Sequence, residues 1–121
     1  MKTILISLAT ILFTASSADN LTGRWESPVS PKGNVTGVVF KDDQTFEGYV
    51  NKKPFVSGNY FFNATDSIFT FLDNGCNGIT GIYKINFFSN GDSLRFTAII
   101  DSCAERRNGM ERLTLGRVKQ N

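Results

Sequence analysis

From Leu21 onward, apolar residues recur at every second position over short runs that are separated by turn-forming residues. A period of two is that of a strand with one face buried, and no stretch of this region shows a sustained helical period. Eight such runs can be read, at positions 21–26, 35–40, 45–51, 56–63, 68–72, 79–88, 94–102 and 112–118. Between them lie clusters of Gly, Pro, Asn, Asp and Ser at 30–34, 41–44, 52–54, 64–66, 73–75 and 89–92, the residue types that turns require. Eight consecutive strands with short connections predict an all-β fold, an up-and-down antiparallel barrel, because closure removes the unpaired edges of an open sheet.

The alternation also predicts which side chains face inward. Phe46, Gly48 and Val50 share one parity. So do Val56, Gly58, Tyr60 and Phe62, then Ile79, Gly81, Tyr83, Ile85 and Phe87, then Leu94, Phe96, Ala98 and Ile100. The opposite parity carries Glu47, Asn59, Lys84 and Arg95 and belongs in water. The run Ile68-Phe69-Thr70-Phe71-Leu72 is apolar on both parities, which fits a strand covered on both sides or one with an apolar face open for contact.

The segment ahead of these runs has a different character. Lys2, the apolar run Ile4 to Phe13 and the small residues Ser16-Ser17-Ala18 form the pattern of an export signal over 1–18. Its apolar run falls short of the roughly 20 residues needed to span a bilayer. The mature domain is then expected at 19–121, secreted or periplasmic, with no membrane span.

Composition narrows the picture further. The chain of 121 residues has 13 basic and 11 acidic side chains and no histidine, so it lacks the basic footprint of a nucleic-acid binder. A mature domain of about a hundred residues buries a modest fraction of its surface, which leaves its core marginal. The two cysteines, Cys76 and Cys103, are expected to staple it with a single disulfide, worth about 3 to 4 kcal/mol in the chain-entropy view. Without a C-x-x-C pair or any histidine, no zinc or redox site is predicted, and no cofactor or metal is expected.

A set of short motifs spans the mature chain: Gly23-Arg24-Trp25, Gly58-Asn59-Tyr60, Gly81-Ile82-Tyr83, the segment Asp101-Ser102-Cys103-Ala104-Glu105-Arg106, and Arg117 in the last run. In this combination the chain resembles small secreted bacterial domains of the lipocalin-like, or calycin, group. The resemblance implies an eight-stranded barrel in which Trp25 and Arg117 close one end. Parity agrees, since Trp25 aligns with Leu21 and Gly23, and Arg117 with Leu113 and Leu115. A guanidinium over an indole face is worth about 0.5 to 2 kcal/mol. Arg106 is expected to pair with Asp101 beside the disulfide, as a loop-fixing ion pair, with Arg107 in solvent.

Catalysis finds little support. The carboxylates, Asp73 and Asp101 among them, are expected on turns and outward faces, and no nucleophile elbow or phosphate-binding glycine loop is present. The chain is therefore expected to be a non-enzymatic binding protein for a small apolar or weakly polar ligand, lined by Phe46, Tyr60, Phe62, Tyr83, Phe87 and Phe96. The same side chains could equally pack a filled core. The alternative is a module that binds an extracellular protein partner, as a protease inhibitor does, through the loops at 28–34 and 51–55 on a rigid barrel.

Overall fold

The computed structural model describes residues 21–119; the expected export signal at 1–18 lies outside them. Eight antiparallel strands form a closed barrel in chain order: β1 (Gly23–Glu26), β2 (Thr36–Phe40), β3 (Thr45–Val50), β4 (Lys53–Asn63), β5 (Ile68–Asp73), β6 (Gly81–Phe88), β7 (Ser93–Ile100) and β8 (Thr114–Arg117). Closure comes from pairing of Trp25 with Arg117 and Glu26 with Gly116, so the first and last strands share a ladder. The all-β, eight-stranded, disulfide-bearing barrel is thus the architecture the alternation predicts.

Two differences from the sequence reading have local causes. The turn expected at 52–54 is instead the two-residue turn Asn51-Lys52, with φ of 53° and 70°, and strand β4 begins at Lys53. Two successive positive φ values give the hairpin turn whose twist matches the flanking strands, so the chain reverses one residue earlier. Pro54 is tolerated within the strand because the ladder is already interrupted there. Gly48 pairs with Val56 but Tyr49 pairs with Pro54, which leaves Phe55 as an extra, bulged residue.

The second difference is a helix, α1 (Ala104–Glu111), where the sequence showed none. None of its residues is fully buried, so it carries no apolar stripe for a periodicity search to detect. Its N-cap, Cys103, makes no side-chain capping bond, which removes the other usual start signal. The helix is held by tertiary contacts instead. The Cys76–Cys103 disulfide fixes its start, the amide of Ala98 donates to the Glu111 carboxylate at 3.1 Å near its end, and Met110 and Leu113 pack on the core.

The inward parity is as the alternation indicates except at Ile100, expected inside but 63% exposed: Tyr83 pairs with Ala98 and Ile82 with Ile100, so the extra residue Ile99 shifts the parity at the end of β7. The ambiguous run is resolved. Phe69 and Phe71 point into the barrel while Leu72, on the outer wall, is 41% exposed. Gly58 is required where β4 passes closest to β5: a Cβ there would stand 2.0 Å from the Leu72 carbonyl oxygen. On the outer wall, Tyr49 lies across Gly37, where a side chain would collide with its ring. Its hydroxyl donates to Glu26 at 2.5 Å and accepts from Arg24 at 2.9 Å, tying β3 to β1 across β2. Burial raises the Tyr49 phenol above its ordinary range, with Glu26 adding to the effect.

The core is divided along the barrel axis. At the end where β1 begins, Trp25 packs on Phe87, Phe87 on Phe62, and Leu21, Ile85, Leu94 and Leu115 fill the gaps. Phe40, Tyr60 and Phe69 form a ring cluster above them, with centroids 5.1 to 5.8 Å apart. Toward the opposite end the inward positions become small, at Val38, Gly48, Val56 and Gly58. That grading in side-chain size leaves one end packed and the other open.

Candidate functional site

The open end is a cavity of about 640 Å³. Its walls are Val38, Phe46, Val56, Phe71 and Phe96, its floor is Phe40 and Phe69, and α1 crosses its rim with Arg106 and Met110. This volume falls within the range of small-molecule pockets, roughly 300 to 1,000 Å³, and the lining is of the apolar, aromatic kind such pockets use.

Of the six side chains expected to line a ligand site, Phe46 and Phe96 border this cavity. The other four stand elsewhere. Phe62 and Phe87 belong to the packed end, on the Trp25 ring system. The Tyr60 hydroxyl donates to the Lys41 carbonyl at 2.7 Å, and burial raises its phenol above the ordinary range. Tyr83 is fully buried and its hydroxyl donates to Asp101. Parity places all six inside, but depth along the barrel depends on strand tilt and stagger, which period-two patterning does not encode. Phe40, Phe69 and Phe71 border the cavity as well. Phe40 lay in a predicted strand, and the other two fell in the run whose parity was ambiguous.

Trp25 and Arg117 meet at the packed end. The Arg117 guanidinium lies over the indole at 4.3 Å from the ring centroid and also contacts Asp92 at 3.3 Å and the Gly91 carbonyl at 3.0 Å. Trp25 is wholly buried, and its indole N–H donates to the Leu21 carbonyl at 2.9 Å. A large ring so covered adds dispersion and area burial to the cation–π contact.

The rim is organised around Arg106. Its Nε and Nη2 donate to the two Asp101 carboxylate oxygens, each at 2.9 Å, its Nη2 also to the Ile79 carbonyl at 2.8 Å, and its Nη1 to Asp73 at 3.3 Å. The guanidinium stacks on Phe71 at 4.7 Å. The fork of donors meets Asp101 in a bidentate pair, the geometry that suits arginine to carboxylates. Asp101 and Asp73 are inside the protein, with side chains 0% and 7% exposed, rather than on the solvated surfaces where the sequence reading put them. Asp73 follows Phe69 and Phe71 at the inward parity, and that spacing was the legible signal. Arg107 likewise is not simply solvated, since its Nη1 donates to the Asp101 carbonyl at 2.7 Å.

Burial works to raise the Asp101 carboxyl, but donation from Arg106, Tyr83 and the Cys103 amide outweighs it and holds the group below the usual carboxylate range. Tyr83 moves the opposite way, raised well above the ordinary phenol by burial and then by the adjacent Asp101 anion. Arg106 is raised, chiefly by its bonds to Asp101. Breaking a buried pair of this kind leaves an uncompensated charge and costs about 3 to 5 kcal/mol. Among the described residues, no group of three His, Cys, Asp or Glu side chains is placed to hold a metal ion, and no helix is long and apolar enough to cross a membrane.

Neither a protein-family model nor any curated protein matches this chain.

Proposed function

We propose that this chain is an exported, non-enzymatic, lipocalin-like binding protein whose open barrel end takes a small apolar or weakly polar molecule. The observation that carries the reading is the cavity of about 640 Å³ walled by phenylalanines and closed below by a packed ring cluster. Empty apolar walls forfeit dispersion contacts, which an apolar guest restores while leaving water. Export agrees with the disulfide between Cys76 and Cys103, a bond that persists in oxidising compartments. The resemblance carried by Gly23-Arg24-Trp25, Asp101 to Arg106 and Arg117 points to the same group of proteins.

Native mass spectrometry after exposure of the mature chain to an extract of apolar metabolites tests this directly. A one-to-one adduct that disappears in Val56→Phe, a substitution that fills the cavity from its wall, is the expected result. Protein that stays bare at every ligand concentration would remove the reading.

A second reading is favoured by the exposed apolar side chains that the loops display at the same end. Val29 on the 28–34 loop is 68% exposed and Phe55, the bulged residue of β4 beside the Asn51-Lys52 turn, is 74% exposed, and a bond from the Asn51 amide to the Val35 carbonyl joins the two segments. In this reading the loops meet an extracellular protein. Crosslinking with secreted proteins, compared between the native chain and Val29→Ser/Phe55→Ser, separates the two: lost partners with retained small-molecule adducts assign the loops a function of their own.

A further inference from the structure

The polar fittings of the cavity carry a sign. Three charged residues border it, Asp73, Glu105 and Arg106. The cation among them is committed: Nε and Nη2 serve Asp101 and the Ile79 carbonyl, and Nη1 serves Asp73. A guanidinium has five N–H groups, so one remains on Nη1, the nitrogen that already serves the Asp73 carboxylate. An anionic guest entering here would meet two acidic side chains and no open basic face.

Asp73 is the reverse case. Its Oδ1 accepts from the Gly75 amide at 2.9 Å and from Arg106 at 3.3 Å, while its Oδ2 accepts no hydrogen bond among the described residues. Asp101 by contrast has both oxygens engaged, Oδ1 by the Cys103 amide and Arg106, Oδ2 by Tyr83 and Arg106. The Asp73 side chain is only 7% exposed and stands at the inward parity of β5, beyond Phe69 and Phe71. Every fully buried side-chain polar atom among the described residues has a partner, so the spare oxygen keeps some access to solvent, and Asp73 borders the cavity. A carboxylate oxygen in such a place is an acceptor awaiting a donor, and a cationic donor makes the stronger, shorter bond.

We infer that the cavity selects apolar molecules carrying an amine, with the hydrocarbon or aromatic part against Phe46, Phe71 and Phe96 and the ammonium group bonded to Asp73 at the rim. This rests on the reading of the open end as a ligand site. The remaining acidic residue, Glu105 on the first turn of α1, adds attraction for a cation at the mouth. Arg107, the other cation nearby, is turned to the Asp101 carbonyl and does not border the cavity.

The test uses three probes of equal length, octylamine, 1-octanol and octanoate, titrated by calorimetry at neutral pH into the mature protein and into Asp73→Asn. Asparagine keeps an Oδ1 to accept from the Gly75 amide and from Arg106, and Arg106 keeps its bidentate Asp101 partner; circular dichroism and Tm check that the fold is retained. The expected order is the amine at least tenfold tighter than the alcohol, with octanoate weakest, and loss of the amine preference in Asp73→Asn while alcohol binding stays within twofold. Equal binding of amine and alcohol, tighter binding of octanoate, or an amine preference that survives Asp73→Asn would overturn the inference and leave the apolar ligand site standing. Failure of all three probes to bind would count against both.

Discussion

The two ends of this barrel are built from the same strands and have opposite characters. At one end, Trp25, Phe62, Phe87, Ile85 and Leu94 interlock under the Arg117 guanidinium. At the other, the inward positions shrink to Val38, Gly48 and Val56, and the space is spanned by α1 rather than filled. A barrel of eight strands is just wide enough for side chains to fill, so whether it is solid or hollow is decided by the volumes of its inward residues. The packed end supplies stability by dispersion and area burial. The open end must then be held by other means, and here these are a disulfide and a buried ion network.

That contrast predicts different responses to truncation. Trp25→Ala removes a wholly buried indole from the packed end and should cost about 3 to 5 kcal/mol in urea unfolding. Val56→Ala at the cavity wall, which already faces open space, should cost about 1 kcal/mol or less. Equal costs at the two ends would erase the distinction. Arg106→Ala should be as damaging as Trp25→Ala, about 3 to 5 kcal/mol, but through charge: it strands Asp101 without its bidentate partner. A replacement of Arg106 that unfolds no more easily than the native chain would show the rim network to be ornamental.

The ion network also gives the open end a pH dependence carried by a buried carboxylate, whereas Asp92 beside Arg117 at the packed end is half exposed. Asp101 has a folded-state pKa held below its unfolded value, so its stabilisation is present above the unfolded carboxylate range, near pH 4, and is lost as pH falls through the folded pKa. Asp101→Asn should flatten this acid limb, measured as Tm against pH between about pH 2 and 5. Tyr83 has a raised folded pKa, so its contribution is complete below the unfolded phenol range, near pH 10, and declines as pH rises beyond it. All three tyrosines are raised, and a phenolate absorbance titration of the native protein should show no ionisation centred at the ordinary phenol value.

The smallest effect sharpens the comparison most. Val38→Phe adds a ring to the open end and should leave Tm within a few degrees of the native value, because it occupies space instead of displacing packed atoms. The same substitution should abolish uptake of apolar probes. Strong destabilisation would show that the open end has no room.

Much of this architecture was legible in the residues. Alternation in runs such as Ile79 to Phe88 placed the strands and most of their inward faces, because a period of two maps directly onto the two sides of a sheet; it left 68–72 open and put Ile100 inside, beyond the bulge at Ile99. Trp25, Cys76 and Cys103 were recognisable as residues of rare type, and Arg117 by its parity in the last run and the resemblance that sets it against Trp25. Helix α1 was not legible, since Ala104 to Glu111 offers only Met110 to the core, too little for an apolar stripe, and is fixed mainly by the disulfide, Glu111 and Arg106. The site was half legible. Parity says that Tyr60 and Tyr83 face inward, but their depth depends on tilt and stagger, and their hydroxyls are spent on Lys41 and Asp101. Asp73 was misplaced because its neighbours Asn74 and Gly75 read as a turn, although it continues the Phe69, Phe71 parity and closes strand β5.

The most direct test of a solid end and a hollow end within one barrel is a methyl-resolved NMR titration with 1-octanol. Shifts should concentrate at Val38, Val56, Met110 and Leu113 and spare Leu21, Ile85 and Leu94. Shifts spread evenly over both sets, or absent from both, would contradict the account.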